Sequence, residues 1–242
     1  MSSKAVAEGA SRRRFLKGSL TLIPAVAVLG AGLVETRDAA AGPQSAGQQY
    51  QPLYFNAAEW QFLLAACDRL IPDDENGPGA VAEGVPEFID RQMETGYGHG
   101  GLWYLQGPFL EGPAELGPQS RLSPREIYRL GIAEVQRHCQ RQFAGKRFEA
   151  LPREAQEAVL TQLERGEPAF EACPAALFFG QIWQNTREGY LADPVHGGNR
   201  SMASWRMIGF PGARADFTDW VDRPNQAYPQ GPVSIAGKRG GL

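Results

Sequence analysis

Cysteine and histidine are scarce here, three of each in 242 residues, and that scarcity removes most metal and covalent-cofactor chemistry. Covalent haem needs Cys-x-x-Cys-His, an iron–sulfur cluster about four thiolates, and a zinc ribbon paired Cys-x-x-Cys. Cys67, Cys139 and Cys173 each stand alone. A dinucleotide-binding turn is missing too: Gly98-His99-Gly100-Gly101-Leu102-Trp103 carries Trp where the third glycine belongs. Asp73-Asp74-Glu75-Asn76-Gly77 opens like a calcium loop, but Pro78 takes the sharp-turn position and Gly84 that of the bidentate Glu. Neither Gly-x-Ser-x-Gly nor His-Glu-x-x-His occurs, which removes the commonest hydrolase signatures. Basic clusters are lacking beyond the first residues, and the formal charge is −3, so a nucleic-acid binder is excluded.

What is abundant is glycine and proline, 29 and 18 residues, together about a fifth of the chain against a usual ~12%. Long turns and extended connections are expected around one core. The 43% hydrophobic content is enough to bury that core.

One apolar run stands near the N-terminus. Ser11-Arg12-Arg13-Arg14-Phe15-Leu16-Lys17 precedes Gly18 to Val34, the order of a twin-arginine export signal, with Arg12, Arg13, Phe15, Leu16 and Lys17 as its recognition residues. The run is diluted by Gly18, Ser19, Thr21, Pro24, Gly30 and Gly32, whereas a spanning helix wants roughly 20 predominantly apolar residues. A cleaved signal over 1–41 is therefore expected in preference to a retained anchor, with Ala39-Ala40-Ala41 as the cleavage site and Gly42 first in the mature chain. Cleavage removes six of the 24 basic and three of the 27 acidic residues, leaving a net charge of −6. Export as a folded protein implies a periplasmic destination and the twin-arginine translocase as a partner.

Helical periodicity dominates the rest, and no period-two stretch of five or more residues stands out. Asn56 with Glu59 forms a capping box before Trp60, Leu63, Leu64, Cys67, Leu70 and Ile71, and Pro72 ends that helix. A second helix runs from Val85 to about Met93 and the longest from Ser123 to Phe143. Pro152 to Leu163 makes a fourth, and Pro174 to about Glu188, with Gly189 past its end, a fifth. The expected fold class is all-α: a helical domain of about five helices over 55–189 behind a linker, 42–54, with irregular stretches at 94–122 and 190–242. The C-terminal arm holds eight Gly and five Pro in 53 residues, yet also Trp205, Phe210, Phe217, Trp220 and Tyr228. Disordered tails are poor in aromatics, so the arm either packs across its own helices or wraps a partner; Trp205, Phe210, Trp220 and Tyr228 are the interface candidates.

Three histidines allow one catalytic alternative. His138 lies in a helical pattern and reads as a helix-face residue. His99, Asp193 and His196 are the acid–base candidates of a free-standing periplasmic enzyme; the competing reading has Asp193 turning the chain before Pro194, and Gly197-Gly198-Asn199 supplying positive φ.

Ile71-Pro72-Asp73, Gly77-Pro78-Gly79-Ala80, Gly84-Val85 before Phe88-Ile89-Asp90, and Tyr104 with Gly107-Pro108-Phe109 occur in an order that resembles a known family. Asp193-Pro194-x-x-Gly197-Gly198-Asn199, Trp205 before Gly209-Phe210-Pro211-Gly212-Ala213, and Gly231-Pro232-Val233-Ser234-Ile235 extend the likeness. The family is the small (gamma) subunit, subunit 3, of membrane-bound gluconate 2-dehydrogenase, and the likeness runs from about Phe55 to Ile235. His196 departs from it, standing where Tyr is common. The resemblance implies a chain with no catalytic residue, cofactor or metal of its own. Its partners would be a large subunit holding FAD, sometimes with an iron–sulfur cluster, and a multihaem cytochrome c subunit that anchors the complex peripherally on the inner membrane. The chain's signal would then serve the flavoprotein as well as itself.

An odd thiol count in an oxidising compartment leaves at least one cysteine without an internal partner. Cys67 continues an apolar stripe and is expected in the core. Cys139, among Arg137, His138, Gln140 and Arg141, reads as exposed; it either pairs with Cys173 or links to the large subunit.

Overall fold

In the computed structural model, residues 50–240 are described apart from 104, 111, 117, 118 and 227. The signal residues Arg12, Arg13, Phe15, Leu16 and Lys17 lie outside the described residues. Six α-helices are present among those described: α1 (Ala57–Leu70), α2 (Val85–Met93), α3 (Pro124–Gln142), α4 (Arg153–Glu164), α5 (Ala175–Leu191) and α6 (Ala203–Met207). No β-strand occurs among them, only isolated bridges such as Gly212 with Val233. The all-α expectation holds, with α6 an addition that its five residues gave no room for periodicity to reveal.

Local chemistry sets the helix starts. Asn56 accepts the amides of Ala58 and Glu59, each at 3.0 Å, while the Glu59 carboxylate accepts the Asn56 amide at 3.0 Å. Ser123 and Glu126 repeat the box ahead of α3, with Pro124 in the first turn. The Ser123 amide and hydroxyl both donate to Glu126, holding its carboxyl below the usual range.

The long hydrophobic helix α5 is the centre, packing against α2, α3 and α4, while α1 closes the other side against α2, α4 and the turn Phe148–Ala150. A chain of rings runs through the core: Phe55 to Tyr128 at 5.4 Å, Tyr128 to Phe178 at 6.2 Å, Phe178 to Phe62 at 6.0 Å and Phe62 to Phe148 at 4.9 Å between centroids. Burying rings of this size supplies much of the hydrophobic driving force.

Two glycines let the helices meet. At Gly131 of α3 a Cβ would stand 2.1 Å from the Phe178 ring, and at Gly189 of α5 one would stand 2.7 Å from Phe88. This second contact corrects an expectation: Gly189 does not end α5, which continues to Leu191. Its missing side chain serves the approach of α2, and the returning loop as well, since a Cβ on Gly198 would meet the Gly189 carbonyl at 2.1 Å.

A buried carboxylate fixes the entry to this domain. Asp90 of α2, with no exposed surface, accepts the Tyr50 hydroxyl at 2.8 Å and the amides of Leu53, Tyr54 and Phe55 at 2.7, 3.0 and 3.0 Å. Tyr54 is then clasped between Arg125 and Arg129, each guanidinium carbon 4.5 Å from the ring centroid. Asp90→Asn replaces one acceptor oxygen by a donor that faces other donors. It should cost about 2–4 kcal/mol, read as a lower urea midpoint with unchanged helix content; an unchanged midpoint would contradict the clamp.

Candidate functional site

Apolar residues that a closed core does not absorb mark where this molecule meets something else. Of fourteen large hydrophobic side chains left exposed among the described residues, twelve lie in the two irregular stretches, four in 94–122 and eight in 190–242. Apart from Leu191 and Met207, the last residues of α5 and α6, the helices have covered their large apolar side chains; the loops have not.

The C-terminal stretch is nonetheless built on firm supports. Asp193 caps the turn Pro194–His196, accepting the Val195 amide at 3.0 Å with one oxygen and the distant Ile235 amide at 2.7 Å with the other. Glu83, just ahead of α2 and 2% exposed, accepts the amide of Ser201 at 2.9 Å and the Ser201 hydroxyl. Arg200 ion-pairs with Glu87. Asn199 donates to the Ala192 carbonyl at 2.9 Å and accepts the Ser204 hydroxyl at 2.8 Å. Positive φ falls at Gly197, +103°, and Asn199, +45°, but not at Gly198, whose lack of a side chain serves the close approach to Gly189 instead.

Among the interface candidates, Trp205 is buried against its own chain, its indole N–H donating to the Leu191 carbonyl at 2.8 Å. Phe210 packs edge-on against it at 5.0 Å and stays largely exposed. Tyr228 meets Phe217 and Trp220, each at 5.4 Å, in a separate small cluster. One part of the arm thus packs home, at Trp205, while Phe210 and Phe217 keep much of their surface exposed.

The acid–base candidates are not assembled by hydrogen bonds. His99, exposed in the loop after α2, has its Nε2 2.7 Å from an Arg125 guanidinium nitrogen. Both Asp193 oxygens are taken by backbone amides, and no hydrogen bond joins Asp193 to the exposed His196 ring among the described residues. His138 sits half-buried, edge-on to Phe170 at 6.0 Å. Asp74 and Asp73, the start of the would-be calcium loop, accept the amides of Asn76 at 2.8 Å and Gly79 at 2.5 Å. No group of three or more His, Cys, Asp or Glu is placed to hold a metal among the described residues.

The polar group that sequence reasoning missed is internal. Asn185 of α5 accepts the Tyr128 hydroxyl at 3.1 Å and donates to the Tyr97 hydroxyl at 2.8 Å and to Glu188 at 2.9 Å, and Gln181 donates to Tyr97 at 2.6 Å. Every amide finds a partner, and the network ties the 94–122 loop to α5.

Cys139 requires a correction. All three thiols are free and fully buried, so Cys139 is not an exposed thiol. Tyr128, Ile132, Val135 and Cys139 share the inward face of α3, while the polar neighbours that suggested exposure point elsewhere. Burial pushes Cys67 up to about 12, and Cys139 and Cys173 each to about 11. A buried neutral thiol neither exchanges disulfides nor reaches another molecule as placed.

These features define a class: an all-helical domain with a closed core, whose uncovered apolar surface lies in irregular segments pinned to it. A family model for gluconate 2-dehydrogenase subunit 3 matches residues 57–212. The chain belongs to that family, and is a subunit of a gluconate dehydrogenase complex. No curated protein and no solved structure matches it.

The thiols yield a prediction. Native chain at pH 8 should release no thiolate to Ellman's reagent, and three per chain in urea; reaction of native Cys139 would contradict its burial. Because each thiol binds its proton more tightly when folded, the stability it contributes is whole below the ordinary value of 9.0 and is lost as pH rises through about 11 to 12. Tyr128, buried in the same core, shifts the same way. Urea midpoints should fall between pH 9 and 11; a rise would contradict this.

Proposed function

We propose that this chain is the non-catalytic small subunit of a periplasmic, FAD-dependent dehydrogenase complex that oxidises gluconate or a related sugar or polyol. It escorts the flavoprotein subunit through twin-arginine export and stabilises it afterwards. Membership of the subunit 3 family supports the complex. The observation that carries the supporting role is the distribution of apolar surface: the helical body is self-sufficient, and the excess is collected on two segments, the C-terminal one held by Asp193 and Glu83 and the 94–122 loop tied to α5 by Gln181 and Asn185. A domain arranged this way presents surface to a partner.

The remaining parts of the reading rest on sequence. Arg12-Arg13 with Phe15-Leu16-Lys17 supports export of a folded cargo, and a flavoprotein loaded with FAD in the cytoplasm is such a cargo. The donor set here fits no redox group: single cysteines, no Cys-x-x-Cys-His, and a glycine-rich loop without its third glycine. FAD, any iron–sulfur cluster and haem c are therefore assigned to the partner subunits, the flavoprotein and the multihaem cytochrome c. Electrons pass between those subunits; this chain holds the assembly together at the inner membrane.

Two experiments test the reading. Replacing Arg12 and Arg13 by Lys should leave both this chain and the flavoprotein in the cytoplasmic fraction, and a flavoprotein still exported would remove the escort role. The purified chain alone should be colourless and should not reduce an artificial acceptor with gluconate, while the complex is coloured and does reduce it; flavin absorbance in the isolated chain would overturn the assignment.

A further inference from the structure

Between Asp193 and Asp216 the sequence holds no acidic residue, yet it holds Arg200, Arg206 and Arg214, in a chain whose formal charge is −3. Arg200 is neutralised by Glu87. Arg206 and Arg214 are not: they donate to neutral acceptors, the Ser201 carbonyl at 2.7 Å for the first, Gln230 at 2.9 Å and the Gly231 carbonyl at 2.6 Å for the second. Neither has a carboxylate partner among the described residues. The C-terminal end adds to this charge, because a Cβ on Gly240 would stand 3.0 Å from the Arg206 guanidinium, which brings the chain after Lys238 and Arg239 alongside.

Between the two arginines the turn displays Met207, Ile208 and Phe210, 54%, 58% and 45% exposed. Their exposure does not come from a loose backbone. Trp205 is anchored to α5, Phe210 N–H donates to the Trp205 carbonyl at 2.8 Å, Gly209 takes the left-handed turn at φ +69°, and Met202 is fully buried. An apolar centre with a cationic rim on a rigid support is the build of a protein interface, in which the centre supplies affinity and the rim supplies orientation and encounter rate.

We propose that the turn Arg206–Phe210, rimmed by Arg206 and Arg214, is the docking face for the flavoprotein subunit, whose matching surface is apolar at its centre and carries Asp or Glu at its edge. This rests on the function proposed above. Charge complementarity selects the partner's character: Arg206 and Arg214 have no carboxylate partner among the described residues, in a chain of formal charge −3. Both guanidinium groups are held by neutral acceptors of their own chain and keep their full positive charge, which a carboxylate on the partner would balance.

The test uses the purified complex and two variants, Ile208→Ser and the pair Arg206→Glu with Arg214→Glu, with Leu53→Ser in the entry segment as an exposed control. Dissociation is followed by dilution at 50 and 300 mM salt. Both variants should weaken the complex at least about tenfold. The charge-reversed pair should also lose most of the salt dependence of association seen with the unaltered chain, and Leu53→Ser should change neither. Ile208 and Arg206 are exposed, so Ile208→Ser and Arg206→Glu alone should leave the melting curve unchanged. Arg214 is half-buried over the Tyr228 ring, and the single Arg206→Glu variant therefore reads the loss of charge and salt dependence apart from any loss of stability in the pair. Unchanged dissociation in both variants overturns the face. Variants that assemble normally but lose binding to phosphatidylglycerol vesicles overturn it in favour of a membrane surface. Failure of the unaltered chain to co-purify with a flavoprotein is a different result, and overturns the function itself.

Discussion

A carboxylate taken out of water must find donors, and the arrangement of this protein depends on two such groups, one within α2 and one just ahead of it. Asp90 gathers three backbone amides and a tyrosine hydroxyl from the entry segment, and Glu83, one residue before the cap of α2, gathers an amide and a hydroxyl from the returning arm. Segments more than a hundred residues apart in the chain are thereby fixed to the same short helix. Removing the Asp90 acceptor would leave the buried Phe55 amide and the half-buried Tyr54 amide without partners, a larger cost than that of an ordinary surface contact.

This constraint links the core to the surface. The close approaches at Gly189 and Gly198 bring α5, α2 and the loop after α5 together, so that the arm leaves the helical body in a set direction. Trp205 and Met202 then complete the packing, and the residues after them, Met207 to Phe210, are presented outward. Stability and recognition are divided between neighbouring residues: buried carboxylates and glycines hold the turn, exposed apolar and cationic side chains characterise it.

The helices were legible in the sequence because their signals are local. Asn56 with Glu59 and Ser123 with Glu126 are capping boxes whose partners stand three residues apart, and the stripe Tyr128, Ile132, Val135, Cys139 defines the inner face of α3. The sulfur placement failed where a second local signal competed: flanking arginines suggested exposure for Cys139, yet helical position decides which way a side chain points. Gly189 resembled a helix end because glycine serves both terminal turns and close packing, and only the position of Phe88 distinguishes them. Asp90, Glu83 and Asn185 were illegible for a different reason. Their partners lie mostly far away in sequence, and a lone polar residue in a helical pattern does not reveal whether it meets water or a distant group.

The reading of a cofactor-free chain joined to a flavin-bearing partner is tested most directly by native mass spectrometry of the purified complex with gas-phase ejection of subunits. It predicts that this chain leaves at its bare polypeptide mass after loss of the signal, while FAD stays with the large subunit. A mass for this chain raised by a flavin, or a preparation in which the chain has no partner at all, would contradict it.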